Sequence, residues 1–587
     1  MNRRDALPAG ILLVALVAWL TPAARLGVDP LHDGAMLKPA LDVLSGQALF
    51  RETFMQYGAL ACYLQVMALW VEPTLLALRL QTVAAYAVTL CFLYMAWRAM
   101  LPRVLALVAG VFFILFIPIY EQEPWNQEYW LLLPWSSVFA MMFQGLGLLA
   151  LGRVIRGPEA PRWSLVLGMA CACVFWCRQP VGVTMAGTLL VVWPALHATG
   201  WMSDAAVRRA VLLRLAGGFA LVHALFFSGM ALNGALADWW FQNIVWPARW
   251  SQGMVWSETL GLFMPPAAVG AVALSAVAVA VPVWVQRFRP GWGARFYAGY
   301  GVMLALLLAW QHDWLGRTLA IGAGGWSGLI PLVIGVQAAL SIWQAWPGRQ
   351  KTRPPEYHLV AATAALSLAS LTQYYPMADS WHIFHALAPA FGLFVYSCWH
   401  WSGWPAGRMA AVLAVLLLPS LYLKARAIGP ALDRPLVTLA EPAVLRGMRV
   451  APEQARFFGQ VARVLALVEQ IRPGFPAAMI GDNPLYLCLA RNQENPVPYY
   501  VTWRGLAPTE ANTQRWAYIH RVRPVMILQK ARWEAVDEFY RRADYVPVFY
   551  DQGEALELAL PREMAGAAGL GEYGLYGFGR SRTKPGP

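Results

Sequence analysis

Apolar runs of about 20 residues, the length needed to cross a hydrocarbon core, recur along this chain from its N-terminus to residue 423. Candidates lie near 8–24, 75–98, 103–119, 130–151, 163–177, 181–198 and 210–232, and again near 259–285, 295–311, 319–346, 357–374, 381–399 and 405–423. The expectation is a polytopic α-helical membrane protein with about thirteen spans. Arg178 and Pro180 interrupt the fifth and sixth, leaving open whether each crosses fully.

Composition agrees with that solvent. Of 587 residues, 59% are hydrophobic and 13% charged, against roughly 25% charged in an ordinary soluble domain. The seven cysteines form no disulfide framework, since Cys91, Cys171, Cys173 and Cys177 fall in apolar runs and Cys488 stands apart. A metal site in CACVFWC needs thiolates and a polar surround, so packing is the preferred reading there. The segment MNRRDALPAGILLVALVAWLTPAAR could be a signal peptide; an uncleaved first span is favoured because the chain keeps re-entering the bilayer.

Loop charge gives an independent test of the threading. With the N-terminus cytoplasmic, every second loop should retain Lys and Arg. Those loops hold Arg98 and Arg103, RVIRGPEAPR, Arg208 and Arg209, QRFRPGWGAR, PGRQKTRPP and Arg408. The opposite loops hold Asp33 and Glu52, EQEPWNQE, DWWFQN, HDWLGR and ADSWH. The net charge of +13 then follows largely from membrane orientation, and no nucleic-acid partner is expected. In a bacterium this is the inner membrane, with the acidic and aromatic loops periplasmic.

An odd span number puts residues 424–587 on that outer face, beyond a membrane domain of residues 1–423. There the texture turns soluble. ARFFGQVARVLALVEQI reads as an amphipathic helix, AAMIGDN and RPVMILQ as short buried strands, and the whole as a small α/β domain. The tail GRSRTKPGP is expected to be disordered.

The most informative polar segment follows the first span: VDPLHDGAMLKPALDVLSGQALFRETFMQYGAL, residues 28–60. Its apolar spacing suggests two interfacial helices, with SGQ breaking the first, so the loop lies along the membrane surface. Asp33 reads equally as a helix cap or as a carboxylate held between water and lipid headgroups.

This layout directly after a first span resembles the first outer loop of the multi-span GT-C glycosyltransferases, the superfamily of protein mannosyltransferases and aminoarabinose lipid A transferases. The resemblance covers the organisation of residues 1 to about 423. It implies transfer of a hexosyl or pentosyl group from a polyprenyl-phosphate donor to a lipid or polysaccharide acceptor of the cell envelope. Asp33 is then the general base, taking the acceptor hydroxyl proton, a step that contributes about 10²–10⁴-fold. Many members pair two acids at this loop start; Gly34 stands beside Asp33 here, which weakens any assignment of a bound metal.

Other candidates follow from residue type and side of the membrane. Glu121, Glu123 and Glu128 of YEQEPWNQEYW could supply a second carboxylate, and Trp125 could stack on a sugar ring; a solvated interfacial belt is the competing reading. His32, Glu52 and Tyr57 of the first loop are taken as substrate-binding. Arg178, costly between apolar segments unless paired, could assist the departing phosphate or form an ion pair with an outer acid. His382 and His385, three apart on one helix face, are read as hydrogen-bonding groups for the donor phosphate. Asp313, Arg317 and Asp379 are read as loop residues. No metal ligand set is assigned; a divalent cation is left open as cofactor. A transporter or flippase of a lipid-linked saccharide is the rival reading, and a non-catalytic binding protein the third. Sugar, acceptor and oligomeric state are not legible.

Overall fold

A computed structural model describes residues 3–120, 131–157, 160–198, 204–251, 326–345, 355–374, 380–481, 483–490, 509–529, 533–551 and 555–567. Helix α1 (Arg3–Ala24) leads into two short helices, α2 (His32–Leu44) and α3 (Ala59–Val71), where two were expected. Gly46 follows α2 at φ +95°, a conformation that suits glycine and lets the chain turn away where SGQ was expected to break the helix. α4 (Leu75–Trp97), α5 (Arg103–Phe116), α6 (Ser136–Arg156), α7 (Ala160–Cys177), α8 (Gln179–Ala198) and α9 (Ala205–Leu232) then build the bundle.

Among the described residues, five helices are long and apolar enough to cross a membrane: Asp5–Ala24 within α1, then α4, α6, α7 and α9. A sixth is added if Ala406–Leu418 and Ser420–Asp433, joined at a 44° bend, are one span. The chain is therefore a multi-pass helical membrane protein. The spans expected near 259–285 and 295–311 lie outside the described residues. The one expected at 381–399 is broken into two helices, Ser380–Leu387 and Phe391–Ser402, by a 3₁₀ turn at Ala388–Ala390. The last apolar helix runs on to Asp433, so the expected boundary at 423/424 falls inside it.

Small residues set the closest helix contact. A Cβ built on Gly168 would lie 2.0 Å from the Leu215 carbonyl oxygen, and one on Gly218 2.3 Å from that of Leu165, so α7 and α9 meet backbone to backbone. At one end of the bundle, Asp5 of α1 pairs with Arg98 and Arg103 at 3.0 and 3.2 Å, and Arg156 approaches Glu356 at 3.7 Å. Arg156 also donates to the Ala99 carbonyl, so the first two basic loops of the charge pattern share an end. The opposite end carries the exit from α1, the α7/α8 break and the contacts to the C-terminal residues.

Those C-terminal residues form a two-stranded sheet, β1 (Val437–Thr438) with β2 (Arg449–Val450), and a four-stranded one. In the larger sheet β3 (Ala477–Ile480) runs parallel to β4 (Val525–Gln529), and β6 (Leu556–Pro561) lies antiparallel between β4 and β5 (Tyr545–Asp551). Alternation along β3 divides its side chains. Ala477 and Met479 join the apolar core shared with the membrane helices, whereas Ala478 and Ile480 join a second cluster with Ile519, Val536 and Phe539. The sheet is buried on both faces, and one face is continuous with the helical body. The amphipathic helix expected from ARFFGQVARVLALVEQI spans Pro452–Ile471 and buries Phe457, Phe458, Val461 and Val468. The terminal GRSRTKPGP lies outside the described residues.

Candidate functional site

The chain leaves α1 through Leu26 and Gly27 and enters α2 by way of Asp29. The Asp29 carboxylate accepts hydrogen bonds from the backbone N–H of Leu31 and His32 through Oδ1, both at 2.9 Å. Its Oδ2 lies 2.6 Å from His32 Nδ1. Asp29 therefore does the capping that the sequence had offered to Asp33. Both members of this pair reach solvent, with side chains 28% and 43% exposed. Burial pushes the Asp29 carboxyl up, but when His32 is protonated its charge, its hydrogen bond and the two backbone N–H groups outweigh this and hold the carboxyl below its ordinary 3.8.

Asp33 is placed very differently. Arg79 of α4 grips it with two bonds, Nη2 to Oδ2 at 2.5 Å and Nε to Oδ1 at 3.2 Å, and a third guanidinium nitrogen reaches the Leu26 carbonyl at 2.7 Å. The Asp29 backbone N–H also donates to Asp33 Oδ2 at 2.9 Å. Neither Asp33 nor Arg79 is exposed. Burial raises the Asp33 carboxyl above its ordinary value, outweighing the lowering by the Arg79 charge and hydrogen bonds. Asp33, expected to receive the acceptor proton, is thus placed in a buried ion pair. Both its oxygens are occupied, and the adjacent Gly34 is pressed against the backbone of Leu485.

His32 faces Trp135, the residue before α6, with ring centroids 5.5 Å apart; on the indole's other contact lies His382, at 5.2 Å. Asp29, His32, Trp135 and His382 thus form one cluster. His385, expected beside His382, belongs to the interior. Its Nε2 lies 3.3 Å from the Tyr86 hydroxyl, Trp381 stacks on its ring at 5.8 Å, and its carbonyl accepts from Gln373 at 3.2 Å. Two helical residues share a face, but their neighbours give them separate surroundings.

A second cluster surrounds the α7/α8 break. Arg178 is the single residue between those helices, and its guanidinium carbon lies 5.7 Å from the Tyr57 ring centroid. Two expected site residues meet there through a ring face. The loop carrying Tyr57 is held by a π-helical turn, Phe241–Val245: Gln242 donates to the Phe50 carbonyl at 2.6 Å and accepts from Met55 N–H at 2.9 Å, and Asn243 donates to the Met55 carbonyl at 3.1 Å. Gln179 in turn donates to Asn243. Glu52, expected to bind substrate, serves its own loop, accepting from Ala48 N–H at 2.7 Å and Arg51 at 3.1 Å.

Helix α3 relates the two clusters. Its N-terminal Gly58 sits against Trp176 and Cys177, where a Cβ would lie 2.0 Å from the Trp176 carbonyl oxygen. Gln65 of the same helix donates to the Pro134 carbonyl, next to Trp135, at 2.6 Å. Seven residues of helix separate these anchors by about 10 Å along the axis.

Glu121, Glu123, Trp125 and Glu128 lie outside the described residues, as do Asp313, Arg317 and Asp379. Among the described residues, no group of three or more His, Cys, Asp or Glu is placed to hold a metal ion. Sequence reasoning assigned no role to Asp29 and missed Arg79. The signal for Arg79 was available, since an arginine inside the apolar run of α4 calls for a buried partner.

No protein-family model matches the chain, and no curated protein sequence matches it significantly. Among solved structures, apo ArnT from Cupriavidus metallidurans is similar over 93% of this chain and 96% of its own, at 13% identity and a TM-score of 0.41. The same protein bound to undecaprenyl phosphate aligns over 94% and 97%, at 13% identity and 0.40. The archaeal oligosaccharyltransferase AglB from Archaeoglobus fulgidus, in complex with an inhibitory peptide and a dolichol-phosphate, aligns over 96% of this chain and 75% of its own, at 11% identity and 0.48. These structural neighbours, ArnT (an aminoarabinose lipid A transferase) and AglB, are members of the GT-C superfamily.

Proposed function

We propose that this chain is a membrane glycosyltransferase that moves one sugar from a polyprenyl-phosphate donor to a hydroxyl of an envelope acceptor. In this reading the Asp29–His32 pair is the proton acceptor. The observation that carries it is the 2.6 Å contact between Asp29 Oδ2 and His32 Nδ1, part-exposed to solvent, where the chain passes from α1 to α2. The rest of the reading follows the charge pattern: thirteen spans, N-terminus cytoplasmic, and the C-terminal α/β unit on the outer face of a bacterial inner membrane.

The acceptor oxygen attacks the anomeric carbon as the bond from that carbon to the phosphate oxygen breaks, and polyprenyl phosphate leaves with the bonding electrons. An alcohol is a poor nucleophile at neutral pH, so its proton must go to a placed base. His32 takes it. Asp29, on Nδ1, fixes the imidazole orientation and stabilises the imidazolium that forms, as a carboxylate behind a catalytic histidine does elsewhere. Trp135 holds His32 at one side and His382 at the other. Arg178, steadied on Tyr57, provides the cation for the phosphate, and Glu121, Glu123, Glu128 and Trp125 belong by sidedness to the same outer surface. Asp33 and Arg79 are positioning residues. The test is transfer from a synthetic polyprenyl-phosphate sugar by purified protein. Asp29→Asn and His32→Gln should lose transfer while retaining the parental melting temperature to within a few degrees.

A transporter of a lipid-linked saccharide is the second reading, favoured by the helix broken at Ala388–Ala390. It predicts movement of intact lipid-linked sugar between leaflets, with no release of polyprenyl phosphate.

A further inference from the structure

We infer that the C-terminal unit is the positioning element of this site, holding the Asp29–His32 segment in register from behind; the inference rests on the proposed function for its kinetic consequence but not for its geometry. Four backbone-directed bonds tie the segment to it. Gly27 N–H donates to the Arg449 carbonyl at 2.8 Å, Arg449 N–H to the Arg25 carbonyl at 2.6 Å, and Leu485 N–H to the Pro30 carbonyl at 3.2 Å. The Gln454 side chain donates to the Val28 carbonyl at 3.2 Å. These carbonyls and amides bracket residues 25–30, where the chain has left α1 and has not yet entered α2, so no helical ladder satisfies them.

The fit at Gly34 is steric. A Cβ there would lie 2.1 Å from the Leu485 amide nitrogen and 2.8 Å from its Cα. Backbone cannot yield as a flexible side chain can, so only glycine admits the 3₁₀ turn Pro484–Leu489 at this distance. That turn then packs along α2. The same helix carries a buried ion pair, Lys38 with Asp42 at 2.5 Å, and Thr53 donates to Asp42 at 2.6 Å. Thr53 opens the stretch that ends in Tyr57. One C-terminal turn therefore backs both the proton-accepting pair and the helix whose far end is tied to the loop of Tyr57.

A unit that merely bound the acceptor would leave these bonds without consequence for turnover. A positioning unit changes turnover at saturating substrate, because misplacing a reacting group by an ångström lowers the chemical step rather than binding. The full-length protein is assayed with two substitutions. Gln454→Ala removes one bond and no backbone, and Gly34→Ala forces the turn away. Hydrogen exchange at amides 25–34 and steady-state transfer are both read.

The expected result is exchange at residues 25–34 faster by several-fold in Gln454→Ala, with protection of β3 and β4 unchanged. kcat should fall about threefold to tenfold, and KM for donor and acceptor should stay within twofold. Gly34→Ala should lower kcat further in the same sense; should it fail to fold, Gln454→Ala alone decides. Unchanged exchange, or a rise confined to acceptor KM, overturns the inference. If the parental protein transfers no sugar while exchange still quickens in Gln454→Ala, the positioning contact stands and the transferase reading falls.

Discussion

Arg79 binds both carboxylate oxygens of Asp33, at 2.5 and 3.2 Å, in a place where neither side chain is exposed. Forty-six residues apart in sequence, the two lock the exit of α1 to the start of α4. Because Asp33 Oδ2 also accepts the Asp29 N–H, the pair fixes the backbone that presents Asp29 and His32.

Removing one partner of this pair strands a buried charge. Arg79→Met and Asp33→Asn should each destabilise the protein by about 3–5 kcal/mol, seen as a lower melting temperature and poorer extraction yield. The double variant Asp33→Leu with Arg79→Met should recover much of that stability, since apolar replacement of a buried pair is often close to neutral. Transfer should stay low in the double variant, because the Asp29 N–H has lost its acceptor. Full recovery of transfer would show that Asp33 positions nothing.

The acid dependence of stability follows from Asp29. Its carboxyl lies below the ordinary 3.8 in the folded chain, so the unfolded chain binds its proton first as pH falls. The sign is that of a depressed acid: stabilisation is fully present above the ordinary value and is lost as pH drops through the lower folded one. Parental minus Asp29→Asn stability should shrink as pH falls below about 4. A difference that instead grows below that pH contradicts the arrangement.

Arg178 is expected to act on the donor side. Arg178→Lys keeps the charge but loses the planar stack on Tyr57, and Tyr57→Ala removes the ring. Both should raise donor KM about tenfold or less, the scale of a cation–π contact of about 0.5–1 kcal/mol plus an altered geometry. Acceptor KM should stay near the parental value. If only acceptor KM moved, the cation would belong to the other substrate.

Much of this frame was legible. Arg178 and Pro180 in an apolar stretch announced the α7/α8 break, and SGQ marked the end of α2. What was not legible was the different placement of the two acids in DPLHD. Local sequence says that an acid belongs there, but which one becomes buried depends on Arg79, brought in by tertiary packing. The spacing of His382 and His385 gave one face correctly. Their separate neighbours, Trp135 just before α6 and Tyr86 in α4, leave no local trace. Likewise β3 and β4 were visible as apolar runs, whereas β5 and β6 were not read, and insertion of β6 between β4 and β5 is set by pairing at long range. The acids at 121, 123 and 128 lie outside the described residues, so their part in the site rests on sidedness alone.

The central claim is tested most directly by single-turnover transfer with His32→Gln, in protein whose melting temperature matches the parent. If His32 accepts the acceptor proton with Asp29 behind it, the rate of sugar appearing on acceptor should fall about 10²–10⁴-fold while donor binding is retained. A His32→Gln protein that transfers at the parental rate would contradict that assignment outright.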